Sequence, residues 1–176
     1  MASTLIASVP ALVPSPSPIY DFTHSVEETI KLIGAANLTA QVNASLANCF
    51  DTIFNTSSSK FTEIMTKIGQ SSKDDNRNYA TVIATANVTP RVFLALGQLK
   101  WRDPGHDNKP MIVNLCVNPD HRSGGWGQAV VHWLEYIGKQ AGLTHLYLQP
   151  ETATLVSYYQ KMGYAPTSGG LMVKAL

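Results

Sequence analysis

A continuous apolar stretch leads through a glycine-rich turn into the strongest amphipathic pattern of the sequence. Residues 111–117 are almost wholly apolar, which is typical of a buried strand. After the turn, apolar residues recur at helical spacing: Trp126, Ala129, Val130, Trp133, Leu134, Ile137 and Ala141. Gly142 ends that pattern, as glycine often does after a helix. A strand joined to a helix in this way favours an α/β or α+β fold.

Strand and helix patterns flank this unit on both sides. Stretches rich in Val, Ile, Phe and Leu predict strands at residues 79–86 and 91–101, and further strands are predicted at residues 143–149 and 170–176. A second helix is predicted over residues 152–162, where Gly163 stops it. The first two of these strands follow each other directly and resemble a hairpin. The C-terminal half therefore predicts a mixed sheet with two helices.

The first half of the chain carries helical patterns behind a proline- and serine-rich start. We expect a flexible arm over residues 1–18 and a single domain over residues 19–176. Within that domain, a short strand is predicted at residues 19–23, and Ser25 with Glu28 forms a capping box. Apolar residues at helical spacing predict two more helices, over residues 42–53 and 61–68.

Charge and cysteine content exclude several classes of protein. Only 14% of the residues are charged and the net charge is +1, so no global field attracts nucleic acid. No apolar run approaches the roughly 20 residues of a membrane-spanning helix. Cys49 and Cys116 lack the paired spacing of a zinc site, so no metal is expected, and free thiols suit the cytoplasm. An anionic ligand must therefore be held by local geometry.

The glycine-rich turn supplies that geometry. It comprises Arg122, Ser123, Gly124, Gly125, Trp126 and Gly127, which we call the glycine loop. Glycines allow the backbone to approach a ligand, and a helix N-terminus presents amides and partial positive charge to a phosphate. The sequence is neither a Walker A motif nor Gly-x-Gly-x-x-Gly. By itself, the loop is equally consistent with a tight connection.

Three motifs together resemble the GNAT superfamily of N-acetyltransferases. The glycine loop has the family's Arg/Gln-x-x-Gly-x-Gly/Ala form, and Leu115 to Pro119 is similar to its Leu-x-Val-x-Pro. Tyr158 to Tyr164 is similar to its Phe/Tyr-Tyr-x-x-x-Gly-Phe/Tyr signature. The resemblance covers about residues 79–176. It implies an α+β fold with a mixed, mostly antiparallel sheet, splayed at the fourth strand and flanked by helices on both faces.

The resemblance also implies a cofactor and assigns residues to it. Acetyl-CoA would bind with its pyrophosphate on the glycine loop and its pantetheine along Leu115, Cys116 and Val117, whose amides would stabilise the oxyanion. Tyr159 would donate to the departing sulfur, with Tyr158 as the alternative one residue away. Thr152 falls where the family often has a cofactor-binding Asn, although a helix N-cap explains it more simply.

The general base is the part that the motifs do not supply. The family often places Glu or His on the fourth strand, where this chain has Met111, Ile112, Val113 and Asn114. Glu151 is our candidate, with His106, Asp103 and His121 as further options. Water relays, an acceptor that arrives unprotonated, or lost activity would also explain the absence. A covalent route through Cys116 and His121 is disfavoured, because a strand cysteine usually behaves as a small hydrophobe.

These observations lead to one expectation and two rivals. We expect an N-acetyltransferase in which a primary amine attacks acetyl-CoA directly. The acceptor would be a small amine or a peptide, and no nucleic acid or membrane partner is expected. Members of the family commonly form dimers, so a homodimer is possible. The first rival is a GNAT-like module that binds acyl-CoA without turnover, as a sensor or interaction domain. The second is an unrelated α/β nucleotide binder.

Overall fold

The computed structural model of the protein describes residues 3–8, 79–86 and 92–176. Within this part, seven strands form one sheet. They are β1 (Ser3–Ser8), β2 (Tyr79–Ala86), β3 (Val92–Asp103), β4 (Lys109–Val117), β5 (His145–Leu148), β6 (Ala165–Pro166) and β7 (Met172–Ala175). The helices of this part are α1 (Trp126–Gln140) and α2 (Ala153–Lys161), and short 3-10 turns occur at Pro104–His106 and Pro119–His121.

The sheet is mixed and splays at its fourth strand. Its order is β1-β2-β3-β4-β5-β7-β6, and every neighbouring pair is antiparallel except β4 and β5. Those two are parallel because α1 crosses between them, and they pair only at Met111↔Tyr147 and Ile112↔Leu148. Residues 113–117 of β4 continue without a β5 partner. We call the gap that opens there the fork. The predicted GNAT-like fold, splayed at the fourth strand, is confirmed.

Helix α1 lies closely on the sheet through its apolar face. Val130, Trp133, Leu134 and Ile137 are almost completely buried in one core cluster with residues of β2 and β3. Gly97 of β3 allows the close approach, since a Cβ there would lie 2.6 Å from Val130 Cγ1. Burial of each large apolar side chain contributes about 1.5–3 kcal/mol, so this face anchors the first turn of α1 beside the end of β4.

The observed elements follow the sequence predictions with small shifts. Helix α1 begins at the predicted Trp126, and the chain leaves it through Gly142 at φ +82°. Strand β3 continues to Asp103, two residues past the predicted end at Trp101, because it pairs with Lys109 across the hairpin. Strand β6, which the sequence did not predict, has only two residues, one of them proline.

The N-terminal predictions are tested only in part. Ser3–Ser8, for which we expected part of a loose arm, instead forms β1 and pairs antiparallel with β2. The strand at residues 19–23, the capping box and the two predicted helices lie outside the described residues. The domain boundary at residue 19 stays a prediction.

Helix α1 is the longer of the two helices, with 15 residues. Among the described residues, no helix is both long enough and apolar enough to cross a membrane.

Candidate active site

Strand β4 carries a bulge just beyond its last pair with β5. Leu96 pairs with Cys116 and Gln98 with Val113. Two residues of β4 therefore lie between these pairs, opposite a single residue of β3. Asn114 takes up the extra residue in the left-handed region, at φ +53°. Asparagine is among the few side chains that tolerate this conformation. A bulge bends its strand and changes the direction of its backbone groups, here at the mouth of the fork.

The bulge is tied to β3 by a pair of carboxamides. Asn114 Nδ2 donates to Gln98 Oε1 over 2.8 Å, and Gln98 is 0% exposed. Sequence reasoning missed this pair. The available signal was one polar residue inside each of two apolar stretches, residues 92–99 and 111–117, and periodicity alone cannot match the two residues to each other.

The residues expected to lie along the pantetheine occupy the last part of β4. Cys116 is buried, whereas Leu115 and Val117 are half-buried and pack against the core. Asn118 N donates to Leu94 O over 2.8 Å and fixes the end of the strand to β3. The side chains therefore serve the core, and the edge of β4 that faces the fork offers main-chain groups.

The glycine loop continues from β4 into α1 with an uncapped helix start. The backbone of Ser123 and of Gly125 is left-handed, at φ +68° and +77°. Gly125 is the N-cap of α1, and no side chain donates or accepts a capping bond there. Because the first amides of a helix have no intrahelical partner, this end of α1 can bind an anion. Arg122 is exposed beside it.

Two glycines of the loop are closely surrounded. A Cβ on Gly124 would lie 2.8 Å from Trp126 Nε1, so the indole packs over the loop. A Cβ on Gly127 would lie 3.1 Å from both Tyr158 Oη and Val117 Cγ2. The start of α1, the end of β4 and the Tyr158 hydroxyl therefore meet at Gly127.

Tyr159 lies deeper in the same region. It is 6% exposed and contacts Tyr158 and Tyr164 edge-on, with ring centroids 5.2 and 6.0 Å away. Burial, then the neighbouring Tyr158 and the charge of Glu151, raises the pKa of Tyr159 to about 12. Burial also raises the pKa of Tyr158. Both hydroxyls stay protonated at neutral pH, and each can donate a hydrogen bond.

Glu151 and Thr152 lie between β5 and α2. Glu151 is exposed, and its charge acts on Tyr159, so the two catalytic candidates lie in one electrostatic neighbourhood. Thr152 is the N-cap of α2, where its Oγ1 accepts from Leu155 N at 3.3 Å. The hydroxyl of Thr152 is thus engaged in capping.

The other candidates for a base lie in the turns before and after β4. Asp103 accepts from Lys100 Nζ at 2.9 Å and from Gly105 N at 3.1 Å, and its second oxygen lies 3.0 Å from His106 Nδ1. Burial would raise the pKa of Asp103, but these bonds lower it to about 2, which makes it a weak base. Both residues precede β4, whereas His121 lies in the turn before the glycine loop.

The bulge, the fork and the uncapped helix start all lie within the part of the chain that matches a known domain. A profile described as an acetyltransferase (GNAT) domain matches residues 79–166, which is half of the chain. The chain belongs to the GNAT family of N-acetyltransferases. Among curated proteins, none matches it in sequence.

Solved GNAT structures share the fold at low identity. A GNAT acetyltransferase from Staphylococcus aureus is 11% identical at TM-score 0.58, over 79% of this chain and 96% of that one. The PaiA N-acetyltransferase of Thermoplasma acidophilum, solved with coenzyme A, is 18% identical at TM-score 0.52, over 77% and 88%. An aminoglycoside 6'-N-acetyltransferase, also with coenzyme A, is 14% identical at TM-score 0.54, over 76% and 89%.

Proposed function

We propose that this GNAT protein transfers an acetyl group from acetyl-CoA to a primary amine by direct attack. The observation that carries the proposal is the fork: an open β4 edge runs from a bulge to an uncapped helix N-terminus. An extended thioester ligand with a pyrophosphate at its far end fits that sequence of groups. Coenzyme A in two structural neighbours supports the same ligand.

The glycine loop would hold the pyrophosphate by main-chain donors. Amides from Arg122 to Gly127, with the positive end of α1, favour an anion without any cluster of lysines. A chain of net charge +1 depends on such local donors to hold a highly charged cofactor. Thr152, already the N-cap of α2, would contribute little to the cofactor arm.

Strand β4 would bind the pantetheine and polarise the thioester. Amides near Leu115, Cys116 and Val117 would donate along the fork, as a further strand would require. One of them would lie near the thioester oxygen, where negative charge develops as the amine attacks. A preorganised donor at that point lowers the barrier more than any side chain that must reorganise.

The proton movements involve Glu151 and Tyr159. The neutral amine forms the new N–C bond, its proton passes to Glu151 directly or through water, and the C–S bond breaks. The pKa of Tyr159, about 12, lies well above the roughly 8.5 of an ordinary thiol. Tyr159 therefore hydrogen-bonds the leaving thiolate and keeps its own proton. The proton released by the amine ends on the sulfur, giving free CoA thiol and an N-acetyl amine.

Binding and turnover are tested separately. Isothermal titration should show binding of acetyl-CoA and CoA but not of ATP, and no binding of either CoA species would overturn the proposal. Release of CoA thiol should then be measured across small amines, amino acids, polyamines and peptides. Binding without thiol release on any of them would favour the rival, a non-catalytic acyl-CoA sensor. The sequence feature that favours this rival is the lack of an acidic or histidine side chain at residues 111–114.

A further inference from the structure

The carboxamide pair at the β4 bulge is placed to control the shape of the fork. Gln98 follows Gly97, whose Cα faces Val130 and Leu134 of α1, so Gln98 points to the opposite face of the sheet. On that face it is fully buried, and its oxygen accepts from Asn114. The polar pair thus lies under the bulge, away from α1.

Local energetics tie this bond to the bulge. A buried carboxamide oxygen without a hydrogen-bond donor is unfavourable, so Gln98 favours the conformation that brings Asn114 within reach. Without the extra residue, Cys116 would lose its register with Leu96, and the side chains beyond it would change faces. Leu115 would then leave its place beside Gly97 and α1. The Gln98–Asn114 bond therefore favours one register of β4.

The position of the bulge links that register to the fork. The last β4–β5 pair is Ile112↔Leu148, and Asn114 follows two residues later. The direction of the amides of residues 114–117 is set at this bulge. These are the amides that would polarise the thioester.

We propose that Gln98 is a positioning residue for acyl transfer, which holds Asn114 in its left-handed conformation and thereby aims the β4 amides at the thioester oxygen. The inference rests on the proposed acetyl transfer. Gln98 touches neither reactant in this scheme, and its effect passes through the backbone of β4.

Two variants remove the bond in different ways. Gln98→Met keeps the length of the side chain but has no oxygen to accept the bond. Asn114→Gly keeps the left-handed backbone at no steric penalty and deletes the donor. Each should lower kcat about tenfold or more, while the Kd for acetyl-CoA, set largely at the glycine loop, stays within about threefold. The double variant should be no slower than either single one, because all three lack the same bond.

Asn108→Gly is the matched control. Asn108 is also left-handed, at φ +55°, but lies in the β3–β4 hairpin turn before β4. Its kcat should equal that of the wild type. Should Gln98→Met not fold, Asn114→Gly alone carries the test.

The outcomes separate this inference from the proposed function. Wild-type protein that binds acetyl-CoA without turnover on any amine would overturn the transferase proposal, and this inference with it. An active wild type with an unchanged kcat in Asn114→Gly would overturn the role of Gln98 alone. Additive losses in the double variant, or an equal loss in Asn108→Gly, would also overturn that role.

Discussion

The two helices beside the fork begin in different ways. The N-cap of helix α1 is Gly125, which has no side chain and leaves the first amides of the helix uncapped. The N-cap of helix α2 is Thr152, whose hydroxyl oxygen accepts a hydrogen bond from Leu155 N at 3.3 Å. One helix start is thus available to an anion, whereas the other is already satisfied from within the chain.

The difference separates two tasks. The α1 side offers main-chain N–H groups, which can bind a phosphate without a cluster of lysines, so we expect cofactor affinity to depend on it. The α2 side offers the side chain of Tyr159, and the loop that precedes α2 carries Glu151. We expect the rate of the chemical step to depend on this second side.

The largest effect is expected from Tyr159→Phe, on the α2 side. Removing the hydroxyl deletes the hydrogen bond to the departing sulfur, so kcat should fall about 100-fold or more. The Kd for acetyl-CoA should change less than about threefold, since the aromatic packing is retained. Stopped-flow thiol release and isothermal titration measure the two quantities.

Tyr158→Phe is the control for that substitution. Its hydroxyl lies near Gly127 and Val117, along the expected path of the cofactor, so it should affect the Kd more than kcat. The reverse pattern would exchange the roles of the two tyrosines. Because burial raises the pKa of Tyr159 to about 12, its ionisation should cause no loss of wild-type kcat below about pH 10.

A smaller loss of rate is expected from Glu151→Gln. The amide cannot accept the proton of the amine, so kcat should fall about 30-fold. Acetyl-CoA affinity should not change. Unchanged turnover across pH 6–9 would remove Glu151 as the base.

The sequence predicted those features whose interacting residues are close to each other along the chain. The glycine loop was found because its six residues are consecutive, so a local motif contains the whole feature. Helix α1 was found at its observed start because its apolar face repeats over the full length of the helix. In both cases, neighbours in the chain carry the information.

The bulge could not be predicted for the opposite reason. It depends on the register between β3 and β4, which pairs Gln98 with Val113 across the hairpin and which no local pattern encodes. From the sequence, Asn114 was only a residue unable to act as a base. The low pKa of Asp103 was not predicted either, although it comes from hydrogen bonds with His106 and Lys100, each three residues away in the sequence.

The α1 side is tested by Gly125→Ala. A Cβ at φ +77° is strained by roughly 1–2 kcal/mol and would shift the first amides of α1. We expect the Kd for acetyl-CoA to rise about tenfold, with kcat at saturating acetyl-CoA nearly unchanged. Titration of the folded variant measures the first quantity, and thiol release the second.

Gly142→Ala is the matched control at the other end of the same helix. Gly142 has a similar φ of +82°, and a Cβ there would meet nothing within 4 Å. It should lose similar thermal stability and keep the full affinity for acetyl-CoA. Equal losses of affinity in both variants would show that α1 acts through its general stability and not through its open amides.

The smallest effect is expected from Thr152→Ala, which tests the capped helix start. Loss of an N-cap hydroxyl typically destabilises a protein by about 1 kcal/mol, and Thr152→Ser should restore most of it. The Kd for acetyl-CoA should stay the same in both variants, because the hydroxyl is already engaged with Leu155 N. If the Kd rose in Thr152→Ala although the variant was fully folded at the temperature of the titration, Thr152 would also bind the cofactor arm. In that case both helix starts would contact the ligand.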